Sequence, residues 1–306
     1  MSTVALPAGV KVIERGWLSS NVVLLSGPAQ RTVIDSGYWT HAAQTVSLVQ
    51  AALGSDAPEL LLNTHLHSDH CGGNAALQAR FPGLRTLIPP GQARSVAHWD
   101  TDALSYGPTG QHCPRFEFHE LLQPGSERQL GGCTWEIHAA AGHDPHSVIL
   151  FEPQTKTLVS ADALWENGFG IVFPELEGEE AFDAVAATLT LIEKLAPRTV
   201  IPGHGTAFAY SDAVVQRARE RLAAFVLRPA KHARHAAKVL LKFKLLELQG
   251  AGLMQFLQWA RETPYFEMVR QRFFADEELD AWIEALTDEL IASGAAQRNG
   301  LDIFNA

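Results

Sequence analysis

Cysteine is scarce in this chain. Its 306 residues hold three, Cys71, Cys113 and Cys133, an odd number without C-x-x-C spacing, which argues against both a disulfide framework and a thiolate zinc site. No apolar run approaches the roughly 20 residues that cross a bilayer. Met1 to Val12 has no charged start followed by a long apolar core, so no secretory leader is expected and the cytoplasm is the expected compartment. Internal repeats and low-complexity stretches are missing too. What is present, 46% hydrophobic and 19% charged residues with a net charge of -10, describes a globular chain able to bury a core.

Against this background one run stands out. His65-Leu66-His67-Ser68-Asp69-His70 places four potential metal ligands within six residues. The apolar Leu60, Leu61 and Leu62 before it predict a buried strand, and Gly72 to Arg80 after it the start of a helix, so the ligands fall on the connection between them. On extended chain His65 and His67 share a direction, while Asp69 and His70 turn towards a second point. That geometry suggests two metals. Three distant residues each follow an apolar stretch and sit in a Gly- or Pro-bearing loop: His143 in Ala141-Gly142-His143-Asp144-Pro145, Asp162 after Thr157-Leu158-Val159-Ser160-Ala161, and His204 in Ile201-Pro202-Gly203-His204-Gly205. Taken singly, such a His is more often a loop residue and such an Asp a cap or turn former. Three histidines and an aspartate beside a buried strand, however, have no packing purpose. Imidazoles and carboxylates without a thiolate suit Zn²⁺ first and also accept Fe²⁺ or Mn²⁺.

Together with Asp35, in Thr32-Val33-Ile34-Asp35-Ser36-Gly37, these motifs in this order resemble the metallo-β-lactamase superfamily over roughly residues 10 to 215. The resemblance implies an αββα sandwich of two facing mixed sheets covered by helices. It implies His65, His67 and His143 at one metal site, Asp69, His70 and His204 at a second, and Asp162 bridging them, with Asp35 holding the metal loop through hydrogen bonds. Two divalent ions would lower the pKa of a bridging water towards ~7 and stabilise oxyanion and leaving group. Attack by that metal-bridging hydroxide would follow, with Asp69 as the catalytic residue that orients it and passes its proton to the leaving group.

Strands are predicted over Val10 to Ile13, Asn21 to Ser26, Thr32 to Asp35, Leu60 to Asn63, Arg85 to Ile88, Thr134 to Ala139, Ser147 to Phe151, Thr157 to Ser160 and Thr199 to Ile201. Helices are predicted over Thr40 to Leu53 and Glu179 to Leu195. Trp99, Tyr106, Phe116 and Phe118 lie where a loop could hang over the metals, so they are expected either to hold an acyl group or to pack under that loop. Of Trp165, Phe169 and Phe173, at least one is expected at the site. His146 is a further candidate for its lining, and the remaining histidines carry no motif.

The character changes near Arg217. Nine basic residues between Arg217 and Lys244 face one acid, Glu220, whereas from Arg261 to Ala306 ten acids face four arginines. We expect a catalytic domain over residues 1–220 and a helical domain over 221–306. In the latter, helices are predicted over Ala233 to Leu248, Leu253 to Arg261 continuing after Pro264, and Asp276 to Ser293, then a hairpin turning at Asn299-Gly300. That order resembles the small winged-helix-like module of related superfamily members. Its third helix is acidic, through Glu277, Glu278, Asp280, Glu284, Asp288 and Glu289, which argues against nucleic acid. The basic segment before it is expected either to bind a compact anion or to pair with that helix or a dimer mate.

Within the resemblance, Asp162 stands where zinc β-lactamases carry a thiolate, Trp165 where acyl-homoserine lactonases commonly carry Tyr, and His67 where flavodiiron oxygen reductases carry Glu. Glyoxalase II has the same seven ligands, although its basic glutathione-binding tail motif is not recognisable here. The expectation is a dinuclear metal-dependent hydrolase of a small-molecule thioester or ester, of acyl-coenzyme A or acyl-glutathione type, with no membrane partner and a homodimer as the candidate assembly. A lactonase, a metal-dependent ribonuclease and a non-catalytic metal-binding signalling protein are the alternatives.

Overall fold

The computed structural model describes residues 4–28 and 30–306; Met1 to Thr3, where the segment read for a leader begins, and Ala29 lie outside the described residues. Two six-stranded sheets face each other. The first runs in sequence order: β1 (Val10–Ile13), β2 (Val22–Ser26), β3 (Arg31–Ile34), β4 (Leu60–Leu62), β5 (Arg85–Ile88) and β6 (Glu120–Leu121). Its first three strands pair antiparallel and its last four parallel. The second comprises β7 (Glu127–Leu130), β8 (Cys133–Ala139), β9 (Val148–Glu152), β10 (Thr157–Ala161), β11 (Thr199–Pro202) and β12 (Phe208–Ala209), ordered β12-β11-β10-β9-β8-β7. Only β10 and β11 pair parallel there.

Side-chain alternation builds the layers. From β2, Val23 and Leu25 point between the sheets and meet Trp135, Ile137 and Leu150 of the second sheet, whereas Val22 and Leu24 point outward onto Val49, Leu77 and Phe81 of the covering helices. On the far side Val185, Leu189 and Ile192, one helix apart in spacing, cover Ile149, Leu158 and Val200. The result is the αββα sandwich. The helix predicted from Glu179 begins instead at Phe182, because the Glu175 carboxylate accepts the N–H groups of Ala181 and Phe182 at 2.6 and 2.7 Å and so caps the start there.

Register at the two parallel pairs places the chemistry. Ile34 pairs with Leu62 across β3 and β4, so Asp35 arrives beside Asn63 and Thr64. Ala161 pairs with Pro202 across β10 and β11, so Asp162 arrives beside Gly203 and His204. Each strand turns off sharply at a left-handed residue, Asp35 (φ 58°) and Ala161 (φ 46°). Such non-glycine conformations cost on the order of 1–3 kcal/mol and persist where the surroundings enforce them.

The C-terminal part contains helices Asp212–Leu227, Pro229–Leu248, Leu253–Glu262, Pro264–Phe273 and Leu279–Ala292, with a three-stranded sheet of β13 (Gly250–Gly252), β14 (Ala296–Asn299) and β15 (Asp302–Asn305) in the order β13-β15-β14. The helix expected to continue through Pro264 divides there, because proline donates no N–H and suits a first helical turn. The Asp212–Leu227 helix, not among the predicted elements, runs unbroken across residue 220, and the chain turns at Arg228 before Pro229. Trp282, Phe266, Leu241 and Phe256 centre a core that also takes in Ile171 and Leu176. Among the described residues no helix is long and apolar enough to cross a membrane.

Candidate metal centre

The strand ends bring seven side chains together. His65 leaves β4, His67 starts the short Ser68–Cys71 helix that carries Asp69 and His70, His143 comes from the β8–β9 connection, Asp162 ends β10 and His204 follows β11. Three groups result, His65 with His67 and His143, His65 with His70 and Asp162, and Asp69 with His70 and His204; within each the ligand atoms lie within 4.8 Å of one another and could hold a metal ion. His67 Nδ1 stands 3.1 Å from His65 Nε2 and 2.8 Å from His143 Nε2. Asp162 Oδ2 lies 3.4 Å from both His70 Nε2 and His143 Nε2 and 3.8 Å from His204 Nε2, between the groups. Asp69 Oδ2 is 3.1 Å from His204 Nε2.

The outer ring nitrogens decide which lone pairs face inward. His70 Nδ1 donates to Asp35 Oδ2 at 2.8 Å, His143 Nδ1 donates to the Ile171 carbonyl, and His65 Nδ1 donates to Thr64 Oγ1 at 3.1 Å. In the neutral form of each ring the other nitrogen is thereby the acceptor, and it is aimed at the cluster. His70 Nε2 is buried with no hydrogen-bond partner, its 3.4 Å approach to Asp162 lacking hydrogen-bond geometry. A buried imidazole lone pair without a donor, among converging nitrogens and carboxylate oxygens, fits a divalent cation.

Asp35 supports this arrangement beyond His70. Its Oδ1 accepts the Thr64 N–H at 2.9 Å and its Oδ2 the Thr64 hydroxyl at 2.8 Å, so one buried carboxylate sets both His70 and, through Thr64, His65. Close approach elsewhere requires glycine. A Cβ at Gly203 would collide with the Asp162 carboxylate and the His70 ring.

In the metal-free protein the charges polarise one another. Burial first and neighbouring imidazoles second lower the pKa of both His65 and His67, that of His67 to about 4 in all. For His70 the burial penalty is outweighed by Asp162, Asp35 and Asp69, which raise it well above its ordinary value. Asp162 shows the reverse balance: burial raises it, yet His70 and His204 hold it well below the usual carboxylate range.

Around the cluster lies a cavity of about 240 Å³. Of the aromatics expected there, Phe173 stands edge-on to His67 at 5.2 Å and Trp165 donates its indole N–H to Asp162 Oδ1 at 3.1 Å, whereas Phe169 is buried in the core. Trp99, Tyr106, Phe116 and Phe118 do not line the cavity. They pack with Leu66, Cys71 and Val96 under the loop, the second of the two expectations. His146 is part of the lining.

Several contributors carried no sequence signal. Trp17 stacks on His204 with ring centroids 5.4 Å apart and planes 10° from parallel, and it stays 58% exposed. Asp144 stands 3.8 Å from His67 Nε2. Val239, Leu240 and Phe243 reach the cavity from the Pro229–Leu248 helix. Part of the basic segment pairs with the acidic helix, one of the partners expected for it: Glu289 pairs with Arg234 at 2.7 Å and Lys238 at 2.8 Å, while Lys244 pairs with Glu247 of its own helix at 2.9 Å.

The sequence model of the metallo-beta-lactamase superfamily matches residues 15–204. A hydroxyacylglutathione hydrolase of Stenotrophomonas maltophilia is 36% identical over 106 residues, covering 35% of this chain and 38% of that protein. The chain therefore spans about two-fifths of that relative's length. A metallo-beta-lactamase family protein of Thermus thermophilus has the same fold over 99% of this chain and 100% of its own, at 20% identity and a TM-score of 0.59. A protein crystallised in a di-iron-bound form aligns over 65% of this chain and 94% of its own, at 25% identity and a TM-score of 0.53.

Proposed function

The chain belongs to the metallo-β-lactamase superfamily, and on that premise we propose that it is a dinuclear metal hydrolase that cleaves a small-molecule thioester or ester. The observation that carries this reading is the inward convergence of imidazole lone pairs on two groups that Asp162 joins. His65, His67 and His143 would hold one ion, Asp69, His70 and His204 the other, with Asp162 shared. Zinc is the first choice, with iron or manganese accepted by the same donors. Relatives named as hydroxyacylglutathione hydrolases support the thioester.

Two divalent ions, when bound, supply Lewis acidity and bring the pKa of a coordinated water towards neutrality. The protein's own part is orientation and proton handling. Asp69 Oδ2, 3.1 Å from His204 Nε2, is placed to take a proton from the attacking water and return it to the departing sulfur or oxygen. Burial raises the pKa of its carboxyl, but His70 and His204 outweigh that and lower it, so Asp69 is ionised and ready to accept. Asp35, Thr64 and the Ile171 carbonyl hold the rings, and Phe173 with Trp165 shields the reacting atoms from bulk water. The division into a catalytic unit over 1–220 and a winged-helix-like unit over 221–306 belongs to the same proposal, supported by a core centred on Trp282 that draws mostly on residues after 230, with Ile171 and Leu176 joining it from the first unit. So does a cytoplasmic place of action, which the three free cysteines support.

The test is release of free thiol by the metal-loaded protein from a panel of acyl-coenzyme A and acyl-glutathione thioesters, with Asp69→Ala as control. Turnover that vanishes in the variant is the expected result. Silence across the panel would refute the thioesterase reading and move lactones, then RNA, to the front.

A further inference from the structure

A second cavity, about 720 Å³, adjoins the metal centre. Trp17, Trp165, Ile171, His204, Val239 and Phe243 line both cavities and form the partition between them. The two differ in charge. The smaller one is lined by Asp144, Glu177 and Glu179 besides the ligands and has no lysine or arginine in its walls. Beyond the shared Val239 and Phe243, the larger adds Leu246 and Leu290 to its apolar wall and carries Arg221, Lys238 and Lys242. Its carboxylate side chain, Glu166, is on an exposed loop residue.

The three cations are not equivalent. Lys238 is paired with Glu289 at 2.8 Å, and Lys242 is held by the Ala295 and Ala306 carbonyl oxygens and Asn305 Oδ1 at 2.6–2.8 Å. Arg221 has no carboxylate partner among the described residues. Its guanidinium carbon lies over the rings of Phe225 and Phe169 at 5.0 and 5.7 Å, and its Nη2 bonds His235 Nε2 at 3.3 Å. His235 is itself depressed to about 4 by burial and by the positive charges of Arg221, Lys238 and Lys231. A guanidinium packed on aromatic rings at the wall of a groove, with no carboxylate to neutralise it, is a receptor for an anion.

Resting on the hydrolase reading, we propose that this groove binds the leaving-group half of the substrate, an amphipathic thiol or alcohol whose apolar middle lies along Trp17, Val239 and Phe243 and whose anionic end meets Arg221. The leaving group points that way because Asp69, which returns the proton to it, adjoins His204 in the partition. An anionic end is repelled from the acidic smaller cavity. That cavity's volume, a third of the groove's, leaves the acyl side for a small group.

The test uses two probes on the full chain. The first is a series of thioacetates of ω-mercaptocarboxylic acids of increasing chain length, each compared with its methyl ester on the metal-loaded protein. The free acids are expected to show a kcat/KM at least about tenfold above their esters at one preferred length, as a charge-assisted hydrogen bond implies. Arg221→Gln should collapse that ratio and Arg221→Lys should keep part of it. Equal values for acid and ester in the wild type, or a ratio unmoved by Arg221→Gln, would overturn the proposal. The second is calorimetric binding of dodecanoate against dodecanol to metal-free protein, folded state being checked by thermal melting. Preferential binding of dodecanoate that Arg221→Gln abolishes is expected even if no thioester is cleaved. In that case the thioesterase reading falls and the groove stands; no preference in this experiment removes the groove.

Discussion

Replacing Asp35 by Asn tests how much of the centre depends on a residue that touches no metal. Asn suits the site sterically and tolerates the left-handed backbone that Asp35 adopts at φ 58°, so the exchange changes hydrogen bonding alone. The carboxylate accepts three hydrogen bonds, from Thr64 N, Thr64 Oγ1 and His70 Nδ1. An amide cannot accept all of them. With its oxygen towards Thr64 N–H, its NH2 faces His70 Nδ1, which must then give up its proton to Nε2 and lose the inward lone pair. With the amide turned over, two buried N–H groups face each other, at a cost of about 1–3 kcal/mol. The first arrangement weakens metal affinity by about 10- to 100-fold, the usual consequence of removing such a support, or about 1.4–2.7 kcal/mol. Chelator competition monitored by metal release gives the affinity, and denaturant unfolding of the metal-free protein gives the second term. A variant with both affinity and stability unchanged would refute the claim that Asp35 sets the His70 tautomer.

Elemental analysis after expression with zinc and iron should find about two ions per chain, and Asp162→Ala should lose most of the bound metal while circular dichroism stays unchanged; full occupancy in the variant would mean the shared ligand is misassigned. His232 is depressed to about 3 by burial, His235 and Arg221, and accepts the Val172 N–H at 3.3 Å. Since this pKa lies below the unfolded value, its contribution is present above pH ~6.5 and lost as pH falls, by about 2 kcal/mol between pH 7 and pH 5; denaturant curves at both pH values should show a smaller loss for His232→Gln than for wild type, and equal losses would contradict the burial argument. Leu241→Ala, at a fully buried position in the C-terminal core, should cost about 2–5 kcal/mol in unfolding free energy, and a change below about 1 kcal/mol would show that this core packs loosely.

The parts of the centre that could be read from the chain are those carried by short spans. The H-x-H-x-D-H run, and His143, Asp162 and His204 at the ends of apolar stretches, owe their placement to strand ends, and strand ends leave a period and a glycine in the sequence. Trp17 and Phe243 owe theirs to packing between segments distant in sequence, and a lone Trp after Gly16 or a Phe in a helical stripe has no local mark of that. The Asp212–Leu227 helix sets Val214, Val215, Ala218, Leu222 and Phe225 at the spacing of a buried helical face, but basic residues interleave with them and mask the apolar period. For the basic segment, opposite charges 50 residues apart on paired helices resolve in three dimensions what a running charge count leaves open, as Arg234 and Lys238 on Glu289 demonstrate.

The Pro229–Leu248 helix places Val239, Leu240 and Phe243 against the reaction chamber, Phe243 also standing edge-on to Tyr38 at 5.0 Å, while the Tyr265 N–H further along bonds the Pro108 carbonyl at 3.1 Å. Substitutions on this helix would rebuild one side of the room in which the seven ligands work without replacing a ligand. They would also be felt at His143, because Ile171, whose carbonyl holds that ring, packs in the same C-terminal core.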